Sequence, residues 1–279
     1  MPGVWETSGV AERFLRPLAE MPVAARRQVR FVLCDIDDTL TLEGRLPACA
    51  YSALERLQRA KLVVIPVTGR PAGWCDHIAR MWPVDAVVGE NGAFHFRHDD
   101  ARKEMLREYW SDADRRGDER RRLGKIADRI CREVPGAAVA ADQGFRHTDL
   151  AIDYREDVAP LGADQVARIV AIFEAAGATA KVSSIHVNGW FGDHDKRKMV
   201  ERLLRDVFGH DLGADPAPVV FIGDSPNDAP LFAGLPNSVG VANVMEFADS
   251  LDPPPAWVTS RPGGHGFAEL AEALLDARL

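Results

Sequence analysis

No run of 18 apolar residues occurs in the 279-residue chain, so no segment is long and apolar enough to cross a bilayer as a helix. Basic residues are in the minority: 34 lysines and arginines stand against 42 aspartates and glutamates, a formal charge of −8. That balance lacks the positive field that drives binding to a phosphate backbone, and a nucleic-acid partner is not expected. Cysteine is sparse, and Cys34, Cys49, Cys75 and Cys131 form no C-x-x-C pair. Scattered thiols predict a reducing compartment rather than a disulfide framework. An apolar secretory core is missing near the start, where Glu6, Glu12 and Arg13 interrupt it, and the apolar run after Arg26-Arg27 stops at Asp35. No internal repeat is visible. These absences predict a cytoplasmic protein with no membrane or nucleic-acid partner.

What is present is ordinary globular composition, 46% hydrophobic and 27% charged. Four short apolar runs, Phe31–Leu33, Leu62–Val67, Ala86–Val88 and Val219–Ile222, read as strands buried on both faces. Amphipathic helices are predicted over Tyr51–Ala60 and Lys198–Phe208, where the apolar positions fall on one face. Strands alternating with helices predict a doubly wound parallel sheet, an α/β core. The middle of the chain differs. A strand-like Ala93–Phe96 leads into a charged stretch whose Leu123, Ile126 and Ile130 recur at helical spacing, which reads as a solvated helix rather than a nucleic-acid patch. Ala151–Tyr154 reads as a strand, and a helix over Asp164–Ala176 is expected to stop at Gly177. The expected organisation is a core over 1–92 and 187–279, an α+β insertion over 93–186, and an N-terminal helix over Ala11–Glu20 docked on the core.

Asp35-Ile36-Asp37-Asp38-Thr39 puts three carboxylates directly after a buried strand. Like charges this close repel and burial penalises each, so the cluster points to a compensating cation; an acidic turn capping a helix is the plainer alternative. A second acidic strand end tips the balance: Val219–Ile222 runs into Gly223-Asp224-Ser225-Pro226-Asn227-Asp228. Ligands of open α/β sheets bind outside the carboxyl ends of the strands, where strand order reverses. Aspartates meeting there offer only hard oxygen ligands, which suits Mg²⁺. Pro66-Val67-Thr68-Gly69-Arg70 presents a hydroxyl and free backbone N–H groups before a helix, and His194-Asp195-Lys196-Arg197-Lys198 offers a cation near the start of another.

In this order the four segments resemble the four motifs of the haloacid dehalogenase (HAD) superfamily of phosphotransferases, over about Phe31–Asn91 and His194–Asn243. The resemblance implies Asp35 as nucleophile and Asp37 as general acid/base, with Thr68 and Asn227 beside the phosphate. Lys196 takes the place of the third-motif lysine, with Lys198 as a competing assignment because Arg197 replaces the usual glycine. The implied Mg²⁺ ligands are Asp35, Asp37 (through its main-chain carbonyl), Asp224 and Asp228. Gly69, Arg70 and Asn91 complete the expected substrate-binding set. The insertion between the second and third motifs, entered by Glu90-Asn91-Gly92-Ala93, resembles the C2 cap of the subclass IIB sugar-phosphate phosphatases, and Gly263–Phe267 resembles the closing loop of that branch. It carries Arg146, His147, His186 and Asn188 as candidates for the non-phosphate part of the substrate. The expected activity is Mg²⁺-dependent hydrolysis of a small phosphorylated metabolite. A phosphohexose mutase and a non-catalytic binding module are the rivals, the latter disfavoured because every expected acid is present.

Overall fold

The computed structural model describes residues 16–279. The chain opens with β1 (Arg16–Pro17), α1 (Val23–Gln28), β2 (Phe31–Cys34), α2 (Ala48–Arg59), β3 (Val63–Pro66), α3 (Ala72–Met81) and β4 (Val87–Gly89). It continues through β5 (Phe94–Asp99), β6 (Glu104–Tyr109), α4 (Ala113–Glu133), β7 (Ala138–Val139), β8 (Leu150–Asp153), α5 (Ala163–Ala175), β9 (Thr179–Val182) and β10 (His186–Trp190). It ends with α6 (Lys196–Phe208), β11 (Val219–Gly223), α7 (Ala229–Gly234), β12 (Ser238–Gly240), β13 (Trp257–Val258) and α8 (Gly263–Asp276).

All four expected apolar runs are strands. Six parallel strands form the central sheet in the order β1-β13-β12-β11-β2-β3. Successive side chains point to opposite faces, so one face of the sheet takes Val32, Val64 and Ile222 against Leu54, Leu57, Leu270 and Leu274 of α2 and α8. The other takes Phe31, Leu33, Ile65 and Phe221 against Leu203, Leu204 and Leu231 of α6 and α7. Burial on both faces is why these strands read as unbroken apolar runs rather than alternating ones. From β2 the chain moves to β3 on one side and later returns as β11 on the other. The crevice at the ends of β2 and β11 is therefore the place where the strand order reverses.

The insertion has its own sheet, antiparallel in the order β7-β8-β10-β9, with α4 and α5 packed on it through Leu123, Ile126, Ile130, Ile169 and Phe173. Gly177 takes φ +75° just past α5, as its place after the helix predicts. The junctions differ from the expected 93 and 186. The β5–β6 hairpin adds to β4, which a bridge between Val67 and Val88 ties to β3, and Phe94 and Phe96 join the core cluster. At the other end, β10 is a central strand of the insertion's sheet, paired with both β8 and β9. By strand pairing the insertion runs between β6 and α6.

The expected N-terminal helix over Ala11–Glu20 lies outside the described residues as far as position 15. Residues 16–20 are not α-helical: Arg16–Pro17 pair with Trp257–Val258 and Leu18–Glu20 make one 3-10 turn. Pro17 and Pro22 lack the N–H groups that a continuous helix would need. Among the described residues no helix is long and apolar enough to cross a membrane, and all four cysteines are free.

Candidate active site

β2 and β11 pair in register, Cys34 opposite Ile222, and the Asp35 N–H donates to the Ile222 carbonyl at 2.9 Å. Asp35 and Asp224 thus leave the sheet side by side. Carboxylate oxygens of Asp35, Asp224 and Asp228 lie within 4.8 Å of one another, and all three residues are buried. Asp228 comes this close because residue 223 is glycine: a Cβ there would sit 2.3 Å from Asp228 Oδ2. That oxygen accepts the N–H groups of Asp224 (3.0 Å) and Ser225 (3.3 Å). Thr39 Oγ1 donates to Asp224 Oδ1 at 3.1 Å.

Lys196, the first residue of α6 and 1% exposed, donates from Nζ to Asp35 Oδ1 (2.7 Å) and Asp228 Oδ1 (2.6 Å). Lys198 instead donates to the carbonyl of Asp193 at the surface, so Lys196 is the lysine that reaches the acids. One ammonium does not balance the cluster. Burial pushes the Asp35 carboxyl up to about 8, against the opposing charge of Lys196 and with repulsion from Asp228 and Asp37. Burial, then Asp35 and Asp228, push Asp224 well above the usual carboxylate range. Asp224 Oδ2 is buried with no hydrogen-bond partner. An orphaned carboxylate oxygen in an all-oxygen cluster short of positive charge fits a hard divalent cation such as Mg²⁺.

Asp37 is set apart. Its carboxylate points to Arg70, which donates from Nε to both oxygens (2.9 Å each) and from Nη2 to Oδ1 (2.8 Å). Its side chain is therefore outside the acidic cluster, as a ligand acting through its main-chain carbonyl would be. Arg70 also reaches Glu156 and Asp142 of the insertion, so its guanidinium is occupied by carboxylates rather than open to a phosphate. Thr68 is buried after β3, and its Oγ1 accepts the Arg70 N–H at 3.0 Å. Asn91 (φ 54°) and Asn227 bond to each other, Nδ2 of Asn227 to Oδ1 of Asn91, at 3.2 Å, and Asn91 Nδ2 is unpartnered. Gly92 (φ +102°) lets this loop reach α6, since a Cβ would fall 2.1 Å from the Asp195 carbonyl oxygen. Asp35, Asp37, Gly69, Arg70 and Asn227 share a narrow cleft with Ser183, Ser184, Ile185, His186 and Asn188 of the insertion.

Two of the four residues expected to meet the non-phosphate part of a substrate are turned elsewhere. Arg146 is fully enclosed by Asp142, Asp149 and the Gly69 carbonyl, a structural tie between insertion and core. His147 bonds to the Tyr109 hydroxyl at 2.8 Å, outside the cleft. His186 and Asn188 do line the cleft. Gly263–Phe267 is the first turn of α8, not a loop, and reaches the site indirectly: Asn243 accepts the Gly263 N–H and donates to the Asp38 carbonyl.

The sequence reading missed two acids. Glu90, completely buried, accepts the N–H groups of Ala72 (3.0 Å), His147 (2.8 Å) and Thr148 (2.6 Å), which pins the insertion to the loop after β4. Its place beside Asn91-Gly92 was the available signal. Glu156 lies between Arg70 and His186, whose Nε2 is 2.9 Å away, and nothing in its sequence surroundings marks it. Against burial, which pushes it up, hydrogen bonds from His186 and Arg70 hold the Glu156 carboxyl down at about 2.

No family model matches the chain. A phosphoglycolate phosphatase of Methanopyrus kandleri is 29% identical over 229 residues, 77% of this chain and 85% of that protein. An HAD/COF-like hydrolase from Plasmodium vivax superposes with a TM-score of 0.64 at 16% identity, covering 91% of this chain and 99% of that one. An HAD subclass IIB sugar phosphatase superposes with a TM-score of 0.60 at 14% identity, covering 89% and 98%. With a parallel core, an inserted antiparallel cap and the motif aspartates gathered at one strand-order reversal, the chain has the fold of the haloacid dehalogenase superfamily hydrolases.

Proposed function

We propose that the chain is a Mg²⁺-dependent phosphomonoesterase that works through an aspartyl-phosphate on Asp35. The observation that carries this reading is the buried cluster of Asp35, Asp224 and Asp228 with Lys196 bonded to two of its members. Asp224 and Asp228, with Asp35 and the main-chain carbonyl of Asp37, would hold the cation. When bound, it neutralises phosphoryl charge and keeps the acids ionised. Asp35 Oδ attacks phosphorus as the ester oxygen departs, so one slow displacement becomes two faster ones. Asp37 gives a proton to the departing oxygen and later takes one from the water that hydrolyses the aspartyl-phosphate. Lys196, Thr68, Asn91, Asn227 and the Gly69 backbone would bind phosphoryl oxygens, and Lys196 offsets the crowded carboxylates. The cap shields the intermediate from solvent.

The substrate proposed is a small phosphorylated metabolite such as a sugar phosphate. The cap side of the cleft offers hydroxyl, amide and imidazole groups from Ser183, Ser184, Asn188 and His186, which suit a hydroxylated leaving group. Relatives and neighbours named for phosphoglycolate and sugar phosphates support the size class. The test is phosphate release from a panel of sugar phosphates and phosphoglycolate, with Mg²⁺ or a chelator. Wild type is expected to release phosphate only with Mg²⁺, and Asp35→Asn to release none while folding normally. Turnover by Asp35→Asn would remove Asp35 as nucleophile. Isomerised product without free phosphate would favour a mutase.

A further inference from the structure

Resting on the phosphatase reading, we propose that Arg70 is a positioning residue that makes the orientation of the Asp37 carboxylate depend on the cap being closed. Its fork is fully committed. One side of the guanidinium grips Asp37, while Nη2 donates to Glu156 Oε1 at 2.6 Å and Nη1 lies 3.4 Å from both Glu156 Oε2 and Asp142 Oδ2. Its plane lies over the Trp74 ring, 4.3 Å from guanidinium carbon to centroid, and the side chain is 6% exposed. Asp37 belongs to the core, whereas Asp142 and Glu156 belong to the cap, so one rigid group spans the two bodies at the reacting centre. A planar fork locked by three carboxylates and a ring fixes direction as well as charge.

The grip on Asp37 is unequal. Oδ1 accepts from both Nε and Nη2, and Oδ2 accepts from Nε alone among the described residues. Oδ2 is therefore the oxygen free to carry the proton that passes to the ester oxygen as the P–O bond breaks, and to take back the proton of the attacking water. The cap acids matter here too. A buried guanidinium left without a counter-ion would be expensive, and Glu156 and Asp142 keep Arg70 paired while Asp37 is protonated. With the cap open that support is lost, and Asp37 is no longer aimed.

Two phosphate esters separate this role from a merely structural one. An alkyl phosphate needs a proton on its leaving oxygen, and 4-nitrophenyl phosphate does not. Arg70→Met is expected to lower kcat about 100-fold on ethyl phosphate, the usual worth of general acid catalysis, and only a few-fold on 4-nitrophenyl phosphate. Arg70→Lys keeps the charge without the fork and should remain impaired on ethyl phosphate. Glu156→Gln should lower kcat on ethyl phosphate about tenfold and raise hydrogen exchange in cap residues 142–156. Equal losses on both esters, full rescue by lysine, or a Glu156→Gln protein indistinguishable from wild type would each overturn the proposal. If wild type releases phosphate from neither ester and from no member of the sugar-phosphate panel, the phosphatase reading itself fails. Hydrogen exchange in Arg70→Met then still decides the latch, with unchanged protection of residues 142–156 counting against it.

Discussion

Lys196→Met removes the one ammonium that, among the described residues, is bonded to the three-carboxylate cluster, while keeping the length of the side chain. The lysine is 1% exposed and makes two bonds, 2.7 and 2.6 Å long, to Asp35 and Asp228. Breaking a buried ion pair from one side leaves uncompensated charge and costs roughly 3–5 kcal/mol. Protonation limits the loss: Asp35, raised to about 8 by burial, already holds its proton through most of the population at pH 7, so less uncompensated charge is left behind. The lower end, about 3 kcal/mol, is the expected value at pH 7 in chelator. For a chain of this size that lowers the melting temperature by roughly 6–12 °C. Mg²⁺ restores positive charge to the same carboxylates, so at saturating Mg²⁺ the deficit should shrink by more than half. The assay is thermal and urea unfolding of wild type and variant in both conditions. A loss below about 1 kcal/mol in chelator, or the same loss with and without Mg²⁺, would refute the electrostatic account of the cluster.

Two further outcomes follow from the buried acids. Because folding raises the Asp35 carboxyl from 3.8 to about 8, the folded chain holds a proton that the unfolded chain releases in that window. Its contribution is full below pH 4 and is lost as pH rises through 8, by up to about 1.4 kcal/mol per pH unit. In chelator the stability of wild type relative to Asp35→Asn should therefore fall between pH 5 and 8; a difference that rises with pH would contradict the sign. Glu90→Gln should lose about 2–3 kcal/mol in urea unfolding, because an amide N–H₂ would face backbone donors that both carboxylate oxygens now accept. A loss under about 0.5 kcal/mol would show those bonds to be replaceable.

The core strands were legible because both-face burial leaves unbroken apolar runs, and the acidic ends of β2 and β11 were legible because carboxylates after buried strands need an explanation. Helix α4 declared itself through apolar spacing, and α5 through its place after a strand and the glycine that stops it. The domain junctions did not, since a hairpin such as β5–β6 carries no signal for which sheet it will extend, and β10 reads the same whether it pairs with cap or core. Arg146 gave no sign that Asp142, Asp149 and the Gly69 carbonyl enclose it, because which groups meet an arginine is decided by how the chain folds. Glu156 was invisible for the same reason: its partners, Arg70 and His186, are distant in sequence and meet it only through the cap's fold.

The most direct measurement of the central claim is an anomalous difference map from crystals grown with Mn²⁺ in place of Mg²⁺. A single peak held by carboxylate oxygens of both Asp35 and Asp224, with the Lys196 ammonium beside it, is the predicted result. Density for the metal elsewhere, or Asp35 and Asp224 with no ion between them at saturating Mn²⁺, would contradict it.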